Sequence, residues 1–402
     1  MAQNSSRMSG RHFLQIPGPS PLPDRILRAM DTPIIDHRGP EFQKLAKRVL
    51  EGIKTIFKTT NPVIIYTATG TGAWEAALVN TLSPGDRVLM VDTGQFATLW
   101  KNMATRLGLK PEFIPTDWRI GAEAAAIEEA LRNDKAHEIK AVCFLHNETA
   151  TGCLSPVVPI RKAIDAAGHP ALLMVDTISS LASTDYRHDE WGVDVTIGGA
   201  QKGLMLPPGM SFNAVSGKAL AAAKTSKLPK SFWSWEDMIN MNKIGFFPYT
   251  PATQMLHGLA ASIDMLHEEG LDNVFARHDR FAEATRCAVR AWGLEILCRD
   301  PKFYSPTVTA VLLPDGNDAD AFRNLALEHF NISYGMSFGK FAGKYFRIGH
   351  LGDINELMLL GALAGTVMAL ALAGVPHKKG GVQAAMDYLV SAAGAPARAA
   401  AE

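Results

Sequence analysis

The sequence predicts an α/β fold with a largely parallel sheet, and three observations carry that prediction. Short apolar runs recur at Val63–Tyr66, Arg87–Asp92, Ala141–His146, Leu172–Val175 and Val193–Ile197. Helical stretches separate them, so successive strands are joined by crossovers rather than tight turns. Finally, Phe96, Asn147, Glu148, Thr149, Asp176 and Lys202 all fall just after such runs, at the strand ends where ligands of these sheets gather.

At 402 residues the chain has room for two or three domains and a sizeable core. Its 40 basic and 40 acidic residues cancel, so neither nucleic acid nor an anionic membrane surface is an expected partner. The four cysteines (Cys143, Cys153, Cys287, Cys298) form no CxxC pair, and Cys143 lies inside an apolar run. A reduced, cytoplasmic compartment is the expectation. The N-terminal MAQNSSRMSGRHF lacks the apolar core of a signal peptide, and the C-terminal ARAAAE is not a peroxisomal address.

Taken in order, residues 1–15 read as an arm. Ile16 to Pro23 (IPGPSPLP) cannot be regular structure, because its prolines remove donors and fix the backbone. It is either a simple turn or a rigid loop lining a pocket with its amides. A helix follows from Pro40 to Phe57, with proline in the first turn. The strand Val63–Tyr66 then leads through Thr67-Ala-Thr-Gly-Thr-Gly72 into a helix from Ala73 to Asn80. Free amides at such a helix start make an anion site, and the Thr69 and Thr71 hydroxyls add donors. No Lys-Ser/Thr follows the glycine, so this is not a nucleotide P-loop. Alone, TGTG is equally an ordinary turn.

Helices are expected at Gln95–Leu107, Ala122–Arg132 and Pro159–Ala167, alternating with the apolar runs. The run Leu172–Val175 ends on Asp176, and Val193–Ile197 leads into Gly198-Gly-Ala-Gln-Lys202. A lysine held out of bulk water near other cations loses part of its charge and can attack a carbonyl. A nearby carboxylate can pair with a cofactor's ring nitrogen. The plain alternative is a helix-capping aspartate and an exposed loop lysine.

Beyond Met210 the pattern leaves the parent sheet. Phe232-Trp-Ser-Trp235 and Phe246-Phe-Pro-Tyr-Thr-Pro251 precede a long helix, Ala252–Glu269, that bridges to a second domain. There Thr307–Leu313 alternates like a half-buried strand, and Phe346–Gly349 ends another. Arg347 lies inside that second run, where an arginine needs a buried anion; its planar fork suits a carboxylate. Leu357–Val375 is uncharged and contains Gly361-x-x-x-Gly365, so it nearly reads as a membrane span. Its Ala and Gly content and missing aromatic belt favour a closely packed helix instead. Asp353 with Glu356 resembles a capping box at its start.

These motifs together carry a resemblance over nearly the whole chain. PGPSPLP, TGTGAWEAALVNTLSPGD, GQF, HNETATG, VDTISSL, DEWGVDV, GGAQKGLMLPPG, FPYTP and KYFRIGHLG are similar to the fold-type I, class V aminotransferases. The serine–glyoxylate and alanine–glyoxylate branches are the nearest in look. The resemblance implies a seven-stranded, mainly parallel sheet in a large domain (16–268) and a smaller α+β domain (269–402). It also implies pyridoxal 5'-phosphate as cofactor, no metal, and a homodimer or higher homo-oligomer with sites at the subunit interface. Lys202 would hold the cofactor covalently and move the substrate proton, and Asp176 would pair with the ring nitrogen. Thr69, Gly70, Thr71 and Gln201 would hold the phosphate, with Tyr249 and Thr250 reaching it from a neighbouring subunit. Phe96 stands where relatives stack an aromatic ring, some of them a tryptophan, and Thr149 would lie near the ring hydroxyl. Arg347 would take the substrate carboxylate, with the Pro17-Gly18 backbone closing over it.

The reaction so implied is transamination of an amino donor, serine preferred, with glyoxylate, giving hydroxypyruvate and glycine. Alanine–glyoxylate or serine–pyruvate transfer is the alternative. His350, three residues from Arg347, is a candidate partner for the serine hydroxyl and equally a packed histidine. A cysteine desulfurase would need a mobile thiolate, for which Cys298 is the one candidate, and a histidine where Gln201 stands.

Overall fold

The structure, a computed structural model, describes residues 10–393; the calls on the first nine residues and on ARAAAE lie outside it. Its main sheet has seven strands. In spatial order they are Val63–Tyr66, Ser211–Val215, Val195–Gly199, Leu172–Asp176, Ile139–Leu145, Arg87–Val91 and Lys110–Ile114. Only Ser211–Val215 runs against its neighbours. The strand Leu172–Asp176 shows why the central runs are wholly apolar. Leu172 and Met174 pack on one side of the sheet, against the helices Pro40–Phe57 and Gly70–Thr81. Leu173 and Val175 pack on the other, against Ala124–Asn133 and Val157–Ala166. Alternate side chains face opposite layers, and both layers are covered.

A second apolar core surrounds a three-stranded antiparallel sheet of Glu295–Ile296, Val308–Leu312 and Tyr345–Gly349. The helices Leu271–Trp292, Ala319–Phe330, Glu356–Leu372 and Gly381–Ala393 close over it. The N-terminal arm ends here too, as Phe13–Gln15 pairs in parallel with Ile332–Tyr334. From Phe13–Gln15 in the smaller body the chain crosses to the larger one through the proline loop. That loop has no regular structure, as its composition requires.

Several boundaries differ from the sequence expectation. The phosphate-side helix starts at Gly70 rather than Ala73, which puts Gly70 and Thr71 in its first turn. Two strands of the main sheet, Lys110–Ile114 and Ser211–Val215, were not expected. Asp353 and Glu356 form no capping box. The cap is Asn355, whose side chain accepts from the Met358 amide (2.9 Å), while Glu356 pairs with Arg280 (2.6 Å). Proximity in sequence misled here: an N-cap must directly precede the helix. The glycines of that helix do permit close approach, since a Cβ on Gly361 would lie 3.1 Å from the Phe13 ring. Among the described residues no helix is long and apolar enough to cross a membrane.

Candidate active site

The carboxyl ends of Leu172–Asp176, Ile139–Leu145 and Val195–Gly199 open into a cavity of about 250 Å³. Of the predicted site residues, Gly18, Thr69, Gly70, Thr71, Phe96, Thr149, Asp176, Gln201 and Lys202 all line it. A twisted parallel sheet splays its crossovers apart at this edge, so residues far apart in sequence converge there.

Lys202 follows the last of these strands and is buried. Its Nζ donates to the carbonyl of Pro17, and its own carbonyl accepts from Ser20 Oγ (2.9 Å). Burial lowers its pKa to about 7, the positive charge of Arg347 adds to the effect, and Asp176 opposes it. Gly18 explains the contact with the proline loop. At φ +105°, a Cβ there would come within 2.3 Å of Lys202 Cδ, so only glycine lets the loop close on the lysine.

Asp176 is buried as well, and burial raises its carboxyl pKa to about 7. One oxygen accepts from the Ile178 amide (2.7 Å) and the other from Trp74 Nε1 (2.7 Å). Trp74 and Ser179 also line the cavity, and the sequence reading assigned neither a role. A tryptophan in an apolar helix looks like core, and a serine in a turn looks like solvent. Ser179 accepts from the Thr149 hydroxyl (2.6 Å) and donates to the Asn147 carbonyl (2.9 Å). Glu148 lies beneath them. Its carboxylate accepts from the amides of Phe96 (3.3 Å), Ala97 (3.1 Å) and Ala150 (3.0 Å), capping the helix Gln95–Arg106. Burial nonetheless raises its pKa to about 7.

Arg347 comes from the edge of the small sheet and is buried beside the cavity rather than lining it. Its Nε donates to Met336 O (2.8 Å) and one terminal nitrogen to Thr149 O (2.8 Å). The second terminal nitrogen has no protein partner among the described residues. Burial lowers its pKa to about 10. His350 is a correction. Both ring nitrogens are taken within the small domain, by Thr309 Oγ1 (3.0 Å) and Pro306 O (3.0 Å). It is fully buried, does not line the cavity, and its pKa falls to about 3 through burial. It is a packed histidine. Tyr249 and Thr250 do not line this chain's cavity either. Tyr249 stacks on Phe232 (4.8 Å) and donates to Ser231 O, while Thr250 is exposed. Cys298 sits in the small-domain core, away from any thiolate chemistry at Lys202.

The residues present fit pyridoxal 5'-phosphate. Thr69 precedes the helix without capping it through its side chain, so the first-turn amides of Gly70 and Thr71 remain available for an anion. Gln201 lines the cavity with its Oε1 buried and, among the described residues, unpartnered, so its amide is not committed elsewhere on that side. A buried lysine near neutrality and a buried carboxylate share one cavity.

The class-V aminotransferase family profile matches residues 13–349. The chain is 51% identical over 379 residues to a serine–glyoxylate aminotransferase of Hyphomicrobium methylovorum, covering 93% of this chain and 94% of that one. It is 45% identical to an L-aspartate–glyoxylate aminotransferase of Paracoccus denitrificans, over 95% of this chain and 97% of the relative. Among solved structures, the ureidoglycine–glyoxylate aminotransferase of Bacillus subtilis superposes with a TM-score of 0.88 at 28% identity, covering 95% of this chain and 99% of that one. The chain belongs to the class V aminotransferase family and is a pyridoxal 5'-phosphate-dependent aminotransferase.

Proposed function

We propose that this enzyme transfers the amino group of L-serine to glyoxylate, giving hydroxypyruvate and glycine. One observation carries the site assignment: Lys202 and Asp176, both buried and both near neutrality, face one cavity with Arg347 behind it. The cofactor, when bound, supplies the carbonyl that captures the amine and a ring that draws electrons from the substrate carbon. Gly70, Thr71, Thr69 and Gln201 would hold its phosphate, Asp176 would pair with its ring nitrogen and favour the protonated ring, and Phe96 and Thr149 would fix the ring. Lys202 Nζ would take the proton from the α carbon of the donor and pass it to the carbonyl carbon of the cofactor, and would carry a proton the reverse way to the α carbon of the acceptor in the second half-reaction. Arg347 grips the carboxylate common to donor and acceptor, so both half-reactions use one pocket.

Serine as donor is supported by the 51% identical relative and by the polar wall of Asn147, Thr149 and Ser179. The test is kcat/KM with glyoxylate for serine, alanine and aspartate in turn. Serine is expected to exceed alanine by about tenfold or more, since a site that pairs with a hydroxyl penalises its loss. Equal values, or aspartate in front, would refute the choice of donor.

The working unit in this reading is a homodimer, with Tyr249 and Thr250 completing the partner's phosphate site. Four free cysteines suit a cytoplasmic location. Gly270, at φ +84° between the helices Thr253–Glu269 and Leu271–Trp292, is a natural place for the boundary between residues 16–268 and 269–402.

A further inference from the structure

We propose that Lys340 is a positioning residue, a clasp that ties the 336–341 segment to the large domain and so holds Phe338 and Arg347 in the geometry that takes the substrate carboxylate. The inference rests on the reading of Arg347 given above.

The segment leaves the small domain after Ile332–Tyr334 and returns to it before Tyr345–Gly349. Between those strands it crosses to the large domain. Lys340 Nζ lies 5.0 Å from the centroid of the Trp118 ring, over its face, and donates to Asp92 Oδ2 (3.2 Å) and Thr116 O (2.9 Å). The receiving surface is itself built. Trp118 holds φ +66°, a conformation unusual for any residue but glycine, with its Nε1 donating to Asp92 Oδ1 (2.6 Å) and its amide to Thr116 Oγ1 (3.1 Å). The neighbour of Lys340 is Gly339, at φ +50°, where a Cβ would meet the Trp118 ring at 2.4 Å. A half-exposed ion pair is by itself a weak tie. Here the same ammonium also has a carbonyl acceptor and an indole face.

The clasp touches the site through Phe338. Its ring packs edge-on against Phe96, 5.8 Å between centroids, and the Arg347 guanidinium lies over it, 4.8 Å from its centroid. The Phe338 amide donates to Tyr345 Oη (3.1 Å), which donates to the Ala150 carbonyl (2.7 Å). Arg347 Nε is meanwhile held by the Met336 carbonyl. Both the ring that lines the cavity and the arginine behind it therefore lean on a segment whose outer end is anchored by Lys340. Releasing the anchor frees Arg347 from Met336 without removing any group that touches the reacting atoms.

Lys340→Met, which keeps the stem and removes the charge, tests this in the purified holoenzyme. Hydrogen exchange of the amides at 338–344 is expected to accelerate by about tenfold while the main sheet stays protected. KM for serine and for glyoxylate should each rise by about fivefold, with kcat within about twofold, because binding geometry and not chemistry is disturbed. Lys340→Arg should restore both readouts, since a guanidinium can stack on Trp118 and still reach Asp92. Unchanged exchange overturns the clasp. Faster exchange with unchanged KM overturns its role in substrate binding. Arg347→Ala, run in parallel, separates the two ideas. If it leaves both KM values unchanged, the carboxylate reading of Arg347 fails, and the clasp stands or falls on exchange and its rescue by Lys340→Arg.

Discussion

Lys202 titrates near 7 instead of its ordinary 10.5 because burial penalises its charged form, and this has a consequence for stability. The folded pKa lies below the unfolded one, so the unfolded chain binds the extra proton between about pH 7 and 10.5. Stability therefore rises with pH across that window. Lys202→Met removes this titration, and in the cofactor-free protein it should raise the melting temperature most near pH 7. The gain should vanish by about pH 10.5; a pH-independent gain would mean that the lysine is not strained by burial. Trp74→Phe takes one hydrogen bond from Asp176 and leaves a buried carboxylate less satisfied, so cofactor affinity, read by titrating the apoenzyme, should fall several-fold. At this scale the sequence placed Asp176 and Lys202 just after apolar strands but left open a capping aspartate and an exposed lysine; the structure buries both against one cavity. The sequence was silent on Trp74, and it placed Glu148 at a strand end without showing which amides it accepts from, because those contacts lie with a neighbour 102 or about 50 positions away. His350 misled because nearness in sequence to Arg347 is not nearness in space: alternate residues of a strand face opposite sides, and the chain leaves the strand at Gly349.

Elements were legible in proportion to their burial on both faces. Val63–Tyr66, Arg87–Val91, Ile139–Leu145 and Leu172–Asp176 are nearly continuous apolar runs. Lys110–Ile114 is an edge strand that begins KPE and is only half-buried, and Ser211–Val215 carries a serine and an asparagine although fully buried. Asn213 is kept there by Tyr66, whose hydroxyl donates to its side chain (3.1 Å), a pairing that no local pattern announces. The proline loop makes the sharpest prediction at this scale. Gly18→Ala places a methyl group on Lys202 at a backbone angle that alanine avoids. Activity should drop by about a hundredfold or more as the loop is pushed off the site, while the far-UV spectrum stays native. Gly70→Ala keeps an ordinary helical backbone angle but meets the Ile178 side chain at Cδ1 and at Cγ1 (2.8 Å), which must turn to make room, so its effect should be milder than that of Gly18→Ala and fall on cofactor affinity. Equal losses would contradict the distinction.

For the whole molecule, the two bodies meet where the chemistry is placed, and the chain crosses between them at the proline loop, at the Gly270 junction and at the 336–341 clasp. The mainly parallel sheet followed from alternating strands and helices. The docking of the arm onto Ile332–Tyr334 did not, because a three-residue pairing leaves no periodic trace. Exposed apolar side chains on the larger body, Leu27, Ile34, Phe232 and Ile244, suit a subunit contact. The dimer reading expects twice the chain mass in solution and, for Thr250→Ala, weaker cofactor binding with the dimer intact. A monomer that retains full activity would contradict it.

Lys202 defines the active site only if the cofactor is held there. Reducing the pyridoxal phosphate-loaded enzyme with borohydride, digesting it and locating the added mass by peptide sequencing in the mass spectrometer reads this directly. The predicted result is a single modified lysine, Lys202, with none in Lys202→Ala. A modification on another lysine, or an unmodified Lys202 in loaded protein, would contradict the assignment of the active site.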